Sequence, residues 1–182
     1  SNRPNEIVLH RKRPDISQRY PLHVVLEVRP ELSNLRTKKR AQVVRAAFAV
    51  TVDADAFRII DWSIQRLHIH LVAEADSNSK LARGMQGLCV RVSRGLNELA
   101  GRKGTVFAER YHVHVLRTPT EVRWARAYVL NNDRRHAAQG GQLLDKDWVD
   151  PYSSWASSDG WRDLPRGLVR LAAQERAGPA TT

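Results

Sequence analysis

The chain has 182 residues, 42% hydrophobic and 27% charged, which suits one compact domain with appendages. No apolar run approaches the roughly 20 residues needed to span a bilayer. Against 19 Asp and Glu stand 30 Lys and Arg, a formal charge of +11 and a pI near 10.6, and such an excess favours a polyanionic partner, most often nucleic acid. The polar, basic start SNRPNEIVLHRKRP lacks an apolar h-region, which predicts no secretory leader. Cys89 is the single cysteine, which excludes an internal disulfide and fits a reducing cytoplasm.

In chain order, residues 1–20 read as a basic arm punctuated by Pro4 and Pro14, with Arg3, Arg11, Lys12 and Arg13 offered to phosphates. PLHVVLEVRP (21–30) is a strand closed by Pro30. LRTKKRAQVVRAAFAVTVDA (35–54) is helical, with Val43, Ala46, Ala47 and Val50 as its apolar stripe and Arg36, Lys38, Lys39 and Arg40 among its cations. FRIIDWSIQ (57–65) and HIHLVAEA (68–75) are the second and third strands. A long helix follows over 77–101, capped by Ser77 or Asn78, facing inward through Leu81, Met85, Leu88 and Val92, and stopped by Gly101. GRKGTVFAER is a basic turn carrying Arg102 and Lys103, and YHVHVLRT (111–118) is a fourth strand.

That order is β-α-β-β-α-β, an α+β, ferredoxin-like arrangement of a four-stranded antiparallel sheet with two helices on one face. A further C-terminal helix (118–138) starts with Thr118 as cap, Pro119 in the first turn and Glu121 closing a capping box. Along it Trp124, Tyr128 and Asn132 share a stripe, and Arg134 and Arg135 follow. The organisation is therefore an arm (1–20), one domain (21–138) and a loop-rich extension (139–182). The extension carries Trp148, Trp155 and Trp161, folds back as an irregular cover, and ends in about ten residues expected to be disordered.

Strand side chains alternate, so His68 and His70 project side by side, with Val72 and Glu74 on the same face. Ile69, Leu71 and Ala73 then point to the core. Two adjacent imidazoles pack poorly but make half of a metal site. The third strand is central in this topology, so the histidine face needs a cover, and the segment after the fourth strand can supply it.

HIH on the third strand, followed by YVLNN in the helix after the fourth, resembles the single-tyrosine HUH nucleases. The similarity is nearest to the REP-associated tyrosine transposases and runs from about residue 21 to 161, through SIQ, HIHLVAEA, RGMQGLCVRVSRGLN, FAERYH, LRTPTEVRWARAYVLNN and DPYSSWASSDGW. The resemblance implies that His68 and His70 ligate Mg²⁺ or Mn²⁺, with Asn132 at the position of the third ligand. It implies that Tyr128 attacks a DNA phosphate, giving a 5′-phosphotyrosine and a free 3′-OH. It also implies a single-stranded substrate beside a hairpin, with the basic segments and some tryptophans holding it.

Two features depart from the family pattern. Leu67 stands where these proteins commonly have Asn, and His112 and His114 form a second His-x-His on the edge strand. The first pair is the expected metal site; His112 is read as structural or phosphate-contacting, and His23 as a minor candidate. Rival readings are a hairpin-binding relative without catalysis, a ferredoxin-like RNA-binding module, and a metal-dependent hydrolase using water. The RNA module is disfavoured because the strands lack the exposed aromatics that read bases.

Overall fold

The computed structural model describes residues 15–51, 56–145 and 148–157. The basic residues Arg3, Arg11, Lys12 and Arg13, Trp161 and the C-terminal stretch lie outside them. Four strands, β1 (Leu22–Glu27), β2 (Phe57–Ile64), β3 (His68–Ala75) and β4 (His112–Val115), form one sheet. Three helices accompany them: α1 (Lys38–Thr51), α2 (Asn78–Leu99) and α3 (Pro119–Gln139). The strand order is β2-β3-β1-β4, and every pairing is antiparallel, as the ferredoxin-like reading requires. Among the described residues no helix is long and apolar enough to cross a membrane.

One face of the sheet is dry. Leu22, Val24 and Leu26 of β1 meet Ile69, Leu71 and Ala73 of β3, all at most 2% exposed. Against them α2 lays Leu81, Met85, Leu88, Val92 and Leu96, the inward stripe that its 3.6-residue period dictates. Ser77 caps α2 by accepting from the Lys80 N–H, and Gly101 follows its end at φ +60°, a conformation glycine adopts without steric cost.

The stripe of α1 differs from the expected one. Ala41, Val44, Ala47 and Phe48 are buried, while Val50 is 65% exposed. VVRAAFAV is apolar on nearly every side, so its period leaves the phase open. Phe48 decides it by packing on the Trp62 ring, 5.3 Å between centroids. Val43 instead faces α2 at Gly95, where a Cβ would come within 2.5 Å of its Cγ1. A glycine there lets the two helices approach.

The opposite face lies under α3. The capping box is present in both directions: Thr118 Oγ1 accepts from Glu121 N, and the Glu121 carboxylate accepts from Thr118 N. The helix then crosses the sheet, packing Val122, Ala125 and Val129 on Ile60, Val72 and Leu116. Arg126 reaches down to buried Asp61, Nε to Oδ2 at 2.5 Å.

Residues 148–157 cover the outer edge of β2. Ile64 N donates to Tyr152 O, Trp62 N donates to Ser154 Oγ, and Ser153 bridges Ser63. At the other terminus, Ile16 and Tyr20 pack against the core.

Candidate active site under helix α3

The register decides which side chains share the α3 face. On β3 these are His68 and His70; on β1, His23, opposite Val72 and His114; on β4, His112 and His114. Five of the seven histidines therefore line one face of one sheet. A packing surface would not gather imidazoles in this way.

They are not equivalent. His70 is 7% exposed, whereas the side chain of His68 is 44% exposed with its Nε2 3.9 Å from Glu27 Oε2. The two rings lie 6.2 Å apart. His23 stacks on His70 at 5.7 Å with an 18° interplanar angle. Tyr128 stands edge-on to both, 5.6 Å from His70 and 5.8 Å from His23. Asn132, one turn further along α3, is only 2% exposed. His112 turns outward, 65% exposed at its side chain, and pairs with Glu109.

Burial dominates the electrostatics. It pushes His70 down to about 3, reinforced by His23, His68 and His136. It also lowers His23, with help from His114. Both imidazoles are therefore neutral at physiological pH, the form that ligates a metal. His70 Nδ1, His23 Nε2 and Asn132 Nδ2 are buried and lack a hydrogen-bond partner. Such atoms cost about 1–3 kcal/mol each unless water, an ion or a ligand meets them.

Among the described residues, no three His, Cys, Asp or Glu side chains group as a metal site. A cation held by His68 and His70 would therefore need an oxygen from another residue type. The Asn132 amide is of that kind, and rotation about its terminal bond exchanges its nitrogen and oxygen.

The predicted cations divide. Arg36 is drawn inside: it binds Asp150 through both guanidinium arms at 2.9 and 3.0 Å, Asp133 at 3.0 Å, and the Ile64 carbonyl at 3.0 Å. It also lies over the Tyr152 ring, 4.6 Å from its centroid. The guanidinium expected to meet phosphate is instead a clasp joining α3, β2 and the extension. A buried carboxylate, Asp150, took the place of a phosphate. Lys38, Lys39 and Lys103 are exposed, Arg40 and Arg102 partly so. Arg134 and Arg135 lie beside Tyr128, with Arg135 5.0 Å over its ring.

Two further histidines, His136 and His23, belong to the constellation. His136 continues the Tyr128–Asn132 stripe by one more turn and acts electrostatically on His70. That spacing was the available signal. His23 joins the site only through the β1–β3 register, which no local spacing reveals.

The family model described as "Transposase IS200 like" matches residues 17–132, a span that contains Tyr128 and reaches Asn132. The chain belongs to the IS200-like transposase family. Among solved structures, a REP-associated tyrosine transposase bound to a REP hairpin aligns with a TM-score of 0.64 at 18% identity, covering 86% of this chain and 88% of that one. At that identity it shows the fold. A Deinococcus radiodurans protein described as a candidate transposase aligns at 9% identity and a TM-score of 0.45, over 68% of this chain and 92% of that one. No curated protein sequence matches. Family membership makes this transposase a DNA-cleaving enzyme.

Proposed function

We propose that this transposase cleaves and rejoins single-stranded DNA beside a hairpin, with Tyr128 as nucleophile. The observation that carries the reading is the position of Tyr128, edge-on to buried His70 and one helical turn from buried Asn132. Tyr128 Oη attacks phosphorus, the P–O3′ bond breaks, and the phenolic proton goes to solvent while the departing 3′-oxygen gains one. One phosphoester replaces another, so the reverse attack by a different 3′-OH joins strands without ATP.

His68, His70 and Asn132 would hold Mg²⁺ or Mn²⁺, which supplies neutralisation of charge on the non-bridging phosphate oxygens. His23 and His70 meet the Tyr128 ring edge-on from the sheet, and Arg135 lies over the ring. The exposed Lys38, Lys39 and Lys103, with Arg40, Arg102, Arg134 and Arg135, are the described cations for the DNA backbone. Arg3, Arg11, Lys12 and Arg13 add charge from the arm. Hairpin recognition is carried over from the REP-bound structure, whose fold this chain shares.

The test is a denaturing gel of a labelled hairpin-flanked strand incubated with the protein. Wild type should form a covalent adduct that protease removes; Tyr128→Phe should form none while retaining hairpin affinity. Cleavage without an adduct would assign the chemistry to water, and binding without cleavage would assign the chain to a non-catalytic role.

A further inference from the structure

The row of α3 that faces away from the sheet core opens onto a cleft of about 980 Å³. That volume lies at the upper end of the range for ligand pockets, about 300–1,000 Å³. The cleft runs between α3 and the β1–β4 side of the sheet, and His23, His114 and Leu116 form its sheet wall. Neither His68, His70 nor Asn132 lines it. Tyr128 does, so its ring is a wall shared by the imidazole cluster and the cleft.

The helical wall has a definite pattern. Trp124, Ala127, Asn131, Arg134 and Ala138 follow one another at intervals of three or four, a single row of the helix. The alanines leave the space open. Trp124, at the N-terminal end, is 41% exposed, an unusual place for the largest apolar side chain unless something stacks on it. Arg134 and Arg135 stand at the other end. The one carboxylate at the cleft, Glu121, is taken up by the backbone N–H groups of Arg117 and Thr118. Arg134 Nη2 donates to the Asp145 and Trp148 carbonyls, whereas Arg135 is exposed. The result is an aromatic platform, a tyrosine, and then the Arg135 guanidinium, the order of features that suits an unstacked nucleotide.

We propose that this cleft receives the nucleoside directly 3′ of the attacked phosphate, its base stacked on Trp124. The proposal rests on Tyr128 being the nucleophile. Trp124 precedes Tyr128 by one helical turn, about 5–6 Å along the axis, comparable to the span from a nucleotide's phosphorus to its base. After attack that nucleoside is tethered to Tyr128 Oη through its own 5′-phosphate. The nucleoside on the 5′ side instead departs with the free 3′-OH and must exchange for strand joining. A cleft walled by the nucleophile thus grips the strand that has to stay.

Two measurements test this. First, the full chain is irradiated with a short oligothymidylate carrying 5-iododeoxyuridine, and the crosslinked peptide is sequenced by mass spectrometry. The crosslink should fall on Trp124 and vanish in Trp124→Leu, whose thermal unfolding should match wild type; crosslinks confined to other residues would overturn the cleft as a base site. Second, on a strand that forms the adduct, an abasic residue directly 3′ of the cleaved bond should raise KM between about fivefold and a hundredfold in wild type. It should have little effect in Trp124→Leu. Coupling of Trp124 to the 5′ nucleoside would overturn the assignment of side. If no strand forms an adduct, the Tyr128 reading fails, while the crosslink still decides whether the cleft takes a base.

Discussion

The two faces of the sheet obey opposite rules. Under α1 and α2, leucines, valines and isoleucines alternate inward from β1 and β3 and close into a dry layer. Under α3, the alternate positions of the same strands carry imidazoles, two of them with buried nitrogens that bond to nothing. Leu71 and His70 are neighbours on one strand and both buried, yet one contributes apolar burial and the other leaves a polar atom unpartnered. The dry face holds the fold. The α3 face places polar atoms where apolar ones would pack, which is the mark of a site rather than of a core.

The largest effect should separate histidines on the α3 face from one another. The double variant His68→Ala/His70→Ala should lower adduct formation about a thousandfold, the scale of several kcal/mol of transition-state charge stabilisation. EDTA should do the same to wild type, with Mg²⁺ or Mn²⁺ restoring it. His112→Ala should stay within about twofold, because its ring turns outward to Glu109. Intact activity in the double variant, with loss in His112→Ala/His114→Ala, would move the ion to β4.

Stability should show the reverse ranking of the faces. Leu71→Ala opens a cavity in the dry layer and should cost about 2–5 kcal/mol in urea unfolding. His70→Ala, measured with chelator at neutral pH, should cost far less, since it also removes a buried nitrogen that has no partner. Equal losses would mean that His70 is simply core, and the contrast between the faces would dissolve.

How much of this was legible follows the range of each interaction. The β3 alternation, the Ser77 cap and the Thr118–Glu121 capping box are local, and residue type with spacing specifies them. The dry face of β3 and the placement of Tyr128 beside His70 follow from those local elements once the strand order is right. What was not legible depends on distant partners. Arg36 looks like any surface arginine until Asp150, 114 residues later, folds back onto it. The α1 stripe needed Trp62 to choose between two apolar phases. The cleft beside Trp124 is an absence of side chains between a helix and an edge strand, and a sequence does not display empty space.

The smallest effect, and the most diagnostic of the α3 face, is pH dependence in the chelated protein. His70 titrates near 3 in the folded chain, below the usual 6.5 of a free imidazole, because burial disfavours its cation. The unfolded chain therefore binds more protons at any pH between those values. The stability linked to His70 is complete above about 6.5 and is lost as pH falls toward 3. At pH 5 the loss is about 2 kcal/mol, one and a half pH units at 1.36 kcal/mol each. His23 is shifted in the same direction and adds to it with the same sign. Carboxylates across the molecule also contribute on acidification, so the informative quantity is the difference from His70→Asn, which leaves them in place. Wild type should lose more stability than that variant between pH 7 and 5. Identical pH profiles would show that His70 titrates in the fold as it does in the unfolded chain, and burial would not be what keeps its imidazole neutral.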